Sequence, residues 1–139
     1  MISATAAPPL LLVDDDPGDI FLLQRALDKA NINLPQQIAT NGEEAISYLS
    51  GEGEFANRRE FPLPCAAFLD LKMPFTSGFK VLEWVRSQPQ LSNLPVYVLT
   101  GSSLETDRER ALALGAKAYI VKPPAPEALT ELLARLKKS

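Results

Sequence analysis

The amino-acid sequence predicts an α/β fold, a doubly wound five-stranded parallel sheet with helices on both faces, and three observations carry that expectation. Four short apolar runs, Leu10 to Val13, Ala66 to Leu69, Val96 to Leu99 and Ala118 to Val121, have the length and unbroken hydrophobicity of strands buried on both faces. Apolar residues between them recur at helical spacing, so strand and helix alternate along the chain. Two of the runs lead directly into aspartate, Asp14 and Asp70, which places charge at strand carboxyl ends, where doubly wound sheets bind their ligands.

Each element has its own signals. After the first strand, Asp16 is placed to cap a helix with Pro17 at its first position, and Ile20, Leu23, Ala26 and Leu27 form its apolar stripe. Gln36 to Ala39 is the fifth strand-like segment, shorter in apolar content, and Asn41 then caps a second helix through Ser50. A third helix follows Gly78, carries Val81, Leu82 and Val85, and ends before Pro89; a fourth runs from about Glu105 to Leu114 and stops at Gly115. Lys122-Pro123-Pro124-Ala125-Pro126 reads as a rigid turn into a last helix from near Pro126 to near Lys137. Residues 1–9 are expected to be a flexible N-terminal extension and residues 10–139 the folded domain. The polar, proline-bounded stretch from Gly51 to Pro64 is long for an ordered connection; it reads first as a variable surface loop and second as a partner-binding loop.

Composition narrows the function. A chain of 139 residues fits one domain, and a formal net charge of -3 gives no footprint for a polyanion, despite small clusters at Arg58, Arg59, Lys137 and Lys138. Direct nucleic-acid binding is disfavoured. Met1 to Pro9 lacks the features of a signal peptide and no run reaches membrane-spanning length, so a soluble cytoplasmic protein is expected. Cys65 is the only cysteine, which rules out an internal disulfide and reads as an inert thiol. With no histidine in the chain, a phosphohistidine on its own side chains is excluded, and carboxylates are the expected phosphoryl acceptors.

Asp14, Asp15 and Asp16 follow one buried strand and Asp70 another, so four carboxylates can meet at one edge of the sheet. Taken singly, an aspartate triplet before Pro-Gly is a helix cap and a strand-end aspartate caps a turn. That reading accounts for Asp16 and leaves Asp14 and Asp15 unexplained. A hard divalent ion relieves the crowding, and magnesium suits a few carboxylates combined with phosphate oxygens. Thr100 offers a hydroxyl after the Val96 to Leu99 run, and Lys122, after Ala118 to Val121, offers a point charge for a phosphoryl oxygen on Asp70. Tyr119 is either a packing aromatic or a conformational element.

Four motifs, Leu11-Leu12-Val13-Asp14-Asp15-Asp16, Phe68-Leu69-Asp70-Leu71-Lys72-Met73-Pro74 with Gly78, Val98-Leu99-Thr100-Gly101 and Tyr119-Ile120-Val121-Lys122-Pro123, resemble in order and spacing the response regulator receiver domain. The resemblance spans about Leu10 to Leu136 and points to a chemotaxis-type, single-domain regulator of a two-component system. It implies a flavodoxin-like sheet in the order 2-1-3-4-5. It also implies Asp70 as phosphoacceptor from a sensor histidine kinase, and Mg2+ held by Asp14, Asp15, Asp70 and the backbone carbonyl of Lys72. Thr100 and Lys122 would contact the phosphoryl group, and Thr100 and Tyr119 would form the switch. Output would pass through protein contacts on the surface of the fourth helix, fifth strand and fifth helix, a surface that is also the expected seat of a homodimer. Such a protein is not an enzyme in the ordinary sense; it assists its own phosphorylation and dephosphorylation.

The sequence departs from the family pattern at Ser77, where an acidic residue is usual, at the bulky Phe75, and at the charged Lys72. The Gly51 to Pro64 insertion, with Ser103-Leu104-Glu105-Thr106-Asp107 after Thr100, is similar to regulators paired with phytochrome-type histidine kinases. Two other functions compete. An Asp-nucleophile phosphatase normally carries a second aspartate two residues after the first, where this chain has Lys72. A receiver-like interaction module that is never phosphorylated would have no need of Asp14, Asp15, Asp70, Thr100 and Lys122 together.

Overall fold

The computed structural model describes residues 8–137, with side chains through residue 134. Most of the expected N-terminal extension therefore lies outside the described residues. Pro9 is already buried, and its carbonyl accepts a hydrogen bond from the Cys65 amide. Five strands and five helices alternate: β1 (Leu10–Val13), α1 (Pro17–Lys29), β2 (Gln36–Ala39), α2 (Gly42–Ser50), β3 (Ala66–Leu69), α3 (Gly78–Ser87), β4 (Val96–Thr100), α4 (Glu105–Ala113), β5 (Ala118–Val121) and α5 (Pro126–Lys137). The strands are all parallel, in the order β2-β1-β3-β4-β5.

The caps act where the sequence places them. The Asp16 carboxylate accepts from the amides of Gly18 and Asp19, and the Asn41 side chain accepts from Glu44, so each helix start satisfies amides that have no partner within the helix. Glu44 in turn reaches back to the Thr40 amide. Gly115, which ends α4, has φ of +104°, a conformation open chiefly to glycine. A Cβ there would also collide with Arg86, whose guanidinium donates to the carbonyls of Ser92, Leu94 and Gly115.

Because alternate residues of a strand face opposite sides, the strand runs divide their side chains between two cores. Leu11, Val13, Ala67, Leu69, Val96 and Val98 pack with residues of α2 and α3. Leu10, Leu12, Phe68, Tyr97 and Leu99 pack with Leu23 and Leu27 of α1 and Leu129 and Leu133 of α5. Full burial of one such leucine stabilises the fold by roughly 1.5–3 kcal/mol. The double-sided burial explains why these runs carry no polar alternation.

One edge of the sheet departs from expectation. The Ala118 to Val121 run has the apolar character of a buried strand, but β5 is a half-covered edge strand with Val121 43 % exposed. Among the described residues it has a strand neighbour only at β4, and the helix beside it, α4, buries only Ala111. The Gly51 to Pro64 stretch runs over the surface and is anchored to the core. It contains a short 3-10 turn at Gly53–Phe55 and inserts Phe55 and Phe61 against Tyr48. The polar residues around those rings mask their period, because no regular element sets their spacing.

Candidate functional site

The register of β1 and β3 builds the site. Val13 lies opposite Leu69, so the next residues, Asp14 and Asp70, emerge side by side at the carboxyl edge. Both are buried, whereas Asp15 is exposed at the rim. Carboxylate oxygens of Asp14, Asp15 and Asp70 lie within 4.8 Å of one another. The triplet is thus divided: Asp14 and Asp15 contribute to the pocket, and Asp16 caps α1. Asp14 is fixed by accepting the Asp16 amide at 3.0 Å.

Lys122 follows β5 and is aligned by its own amide, which donates to the Thr100 carbonyl at 2.8 Å. Its ammonium lies 2.7 Å from Asp14 Oδ2, 2.7 Å from Asp19 Oδ2 and 3.3 Å from Asp70 Oδ2. The peptide between Lys122 and Pro123 is cis. Burial disfavours the Lys122 charge, but hydrogen bonds to Asp14 and Asp19 and the charge of Asp70 outweigh it and raise the ammonium pKa. Burial pushes the Asp14 carboxyl above its ordinary range; the Lys122 and Asp16 hydrogen bonds oppose that shift and the Asp70 charge adds to it. One half-buried cation therefore holds together a carboxylate cluster that would otherwise repel itself.

The other side of the pocket comes from the loops after β3 and β4. Gly78 packs so closely that a Cβ would collide with the Asp70 carbonyl, and its amide donates to the Leu71 carbonyl. Only glycine permits this return of the chain beside Asp70. The Lys72 amide donates to Asp70 Oδ1 at 3.3 Å, while its ammonium reaches Asp107 of α4 at 3.1 Å. Asp107 also accepts from Ser102 Oγ at 2.7 Å, and the hydrogen bond from Ser102, aided by Lys72, holds its carboxyl below the usual range. Thr100 is fully buried, with its hydroxyl accepting the Ser102 amide at 3.5 Å. The Tyr119 hydroxyl donates to the Ser102 carbonyl at 2.9 Å, so its half-buried ring is tied to the loop that follows Thr100. Phe75, beyond Met73-Pro74, is 93 % exposed with φ of +67°.

The structure brings Asp14, Asp15, Asp70 and Lys122 into one pocket and places Thr100, Lys72 and Tyr119 around it. Sequence reasoning missed Asp19 and the Ser102–Asp107 pair. Asp19 sits in the first turn of α1, where an acid is explained by the helix dipole alone. Nothing local signals that it also faces a lysine 103 positions later.

A parallel sheet in this order, with strand-end carboxylates gathered around a lysine, defines a flavodoxin-like α/β protein with a charged pocket at its switch point. The family model for the response regulator receiver domain matches residues 10–134, and the chain belongs to that family. It is a receiver domain of two-component signal transduction. The response regulator Rcp1 of Synechocystis sp. is 33% identical over 87% of this chain and 82% of its own length. Among solved structures, the bacteriophytochrome response regulator RtBRR matches with a TM-score of 0.81 at 38% identity, covering 93% of this chain and 77% of that one. The phosphorylated cyanobacterial phytochrome response regulator RcpA matches with a TM-score of 0.78 at 32% identity, covering 96% and 93%. Rcp1 itself, in a Mn(2+)-bound form, matches with a TM-score of 0.76 at 30% identity, covering 95% and 91%. Among the described residues, no helix is long and apolar enough to cross a membrane.

Proposed function

We propose that Asp70 is the phosphoacceptor, and that the observation carrying this reading is its buried carboxylate held between Asp14, Asp15 and the Lys122 ammonium. A carboxylate oxygen of Asp70 attacks the phosphorus of a phosphohistidine on a sensor histidine kinase. The N–P bond breaks, the partner's imidazole leaves, and an acyl phosphate remains on Asp70. Lys122 neutralises charge on the transferring group, and the Thr100 hydroxyl turns from the Ser102 amide to a phosphoryl oxygen. Tyr119, hydrogen-bonded to the same loop, follows that movement. Water then cleaves the acyl phosphate, releasing inorganic phosphate and restoring Asp70. The protein thus assists its own phosphorylation and dephosphorylation.

The clustered oxygens of Asp14, Asp15 and Asp70 fit a hard divalent cation. These three carboxylates, with the backbone carbonyl of Lys72, would hold Mg2+, which when bound would supply positive charge to the phosphoryl oxygens. The Mn(2+)-bound form of the similar Rcp1 supports a divalent ion at such a pocket. Likeness to the bacteriophytochrome and phytochrome regulators supports a phytochrome-type kinase as partner. Exposed Leu112 and Val121 support pairing of two copies through the α4–β5–α5 face. The test is intact mass after incubation with acetyl phosphate, with and without magnesium. The wild type gains one phosphoryl group only with the metal, and Asp70→Asn gains none; equal addition to that variant would refute the assignment.

A further inference from the structure

Lys72 is joined by its two ends to two different parts of the molecule. Its amide bonds the Asp70 carboxylate, and its ammonium bonds Asp107 in the first turn of α4. Asp107 is no ordinary surface partner: it is largely covered and already accepts the Ser102 hydroxyl. Ser102 continues the connection, since its carbonyl accepts the Tyr119 hydroxyl. The first turn of α4 has little else to hold it, because Leu104 at the cap gives no side-chain hydrogen bond and Ala111 alone is buried. A phosphoryl group on Asp70 places two negative charges within reach of the flexible four-carbon stem of Lys72. It thereby offers the ammonium a stronger anionic partner than one carboxylate.

We propose that Asp107 and a phosphoryl group on Asp70 compete for the Lys72 ammonium, so that Asp107 is a positioning residue that ties α4 to the resting site and releases it on phosphorylation. The proposal rests on Asp70 being the phosphoacceptor. In the resting state the bridge fastens the β3–α3 loop to α4. After transfer, Lys72 moves to the phosphoryl oxygens, Asp107 keeps only Ser102, and the first turn of α4 is free to shift with Tyr119. The pair therefore sets both the cost of holding the phosphoryl group and the way α4 senses it.

The experiment titrates beryllofluoride, a phosphoryl mimic, in the presence of magnesium, read by fluorine NMR together with the amide resonances of residues 102–107. Asp107→Asn removes the competitor and is expected to tighten the mimic about threefold, as suits a partly exposed ion pair. In a Lys72→Met background the same substitution is expected to change nothing. Lys72→Met alone should move the resting amides of residues 102–107 towards their positions in the mimic-bound wild type. This readout needs no Asp107 variant to fold. An equal effect of Asp107→Asn in both backgrounds, or amides unmoved by Lys72→Met, would overturn the competition while leaving the phosphoacceptor intact. Failure of the wild type to take up the mimic would overturn both.

Discussion

The two flanks of the sheet are held in different ways. On the α2 side, the rings of Tyr48, Phe55 and Phe61 meet edge to face with centroids 5.1 to 6.3 Å apart. The Tyr48 hydroxyl donates to the Pro62 carbonyl at 2.6 Å, and Arg58 fastens the carbonyls of Leu49 and Phe61. On the α4 side, one alanine is buried, and attachment falls to the Lys72–Asp107–Ser102 contacts and to Arg110, whose guanidinium lies 4.0 Å from the Phe79 ring centroid. Apolar burial is lost only by creating a cavity, whereas polar contacts can be exchanged for others of similar strength. The flank built from exchangeable contacts is the one joined to the charged pocket. This division suits the proposed switch, in which one side preserves the fold while the other responds.

The contrast would break first at Tyr48. Tyr48→Ala empties the aromatic lobe and is expected to cost about 3–5 kcal/mol in urea unfolding, comparable with other large-to-small core replacements. The remaining folded protein should still take up a phosphoryl group, because Asp70 and Lys122 belong to another part of the molecule. A loss of uptake out of proportion to unfolding would show that the lobe supports the pocket directly. Gly115→Ala is next: a side chain at φ of +104° meets Arg86, at a cost of about 1–3 kcal/mol in the same measurement. That substitution disturbs the joint between α3 and β5, so its effect should reach both flanks.

Tyr48→Phe probes the lobe more gently, with an expected loss of about 1 kcal/mol for one buried hydrogen bond. It also carries a pH signature. Burial raises the Tyr48 phenol above its ordinary value, and the Arg58 charge opposes that shift only in part. The neutral phenol therefore contributes stability that is intact below about pH 10 and declines as pH rises towards the folded-state pKa, since the unfolded chain ionises first. This component of alkaline destabilisation should vanish in Tyr48→Phe; an unchanged slope would assign it to another group. At Asp107 the sign is reversed, because its carboxyl is held low: that contribution is present above the ordinary aspartate range and is lost on acidification through the depressed pKa. Smallest of all, Arg110→Ala should cost about 0.5–1 kcal/mol, the value of a cation–π contact at an exposed site. Hydrogen exchange should nevertheless quicken across α4 and remain unchanged across α2.

Much of this arrangement is legible in local sequence. Asp16-Pro17 and Asn41-Gly42 mark helix starts through hydrogen bonds made within three residues, and Gly115 marks a stop because its φ excludes most other residues. The apolar runs before Asp14, Asp70 and Thr100 put these groups at strand ends, and the receiver motifs identify the pocket they form. Such signals act over a turn or a strand, and their physical cause lies in the residues themselves.

Other features depend on contacts between distant segments. Whether Ala118 to Val121 is enclosed depends on what flanks the sheet edge, and the run has the same apolar character in either case. Phe55 and Phe61 find Tyr48 through an irregular segment with no period to reveal them. Asp19 reaches Lys122 across 103 positions, and Lys72 pairs with Asp107 across the mouth of the pocket. Helix caps and strand runs are chosen by short-range sterics and hydrogen bonds, which the chain carries with it. The identity of a charge's partner is chosen by register and crossover, which exist only once the sheet has closed its order.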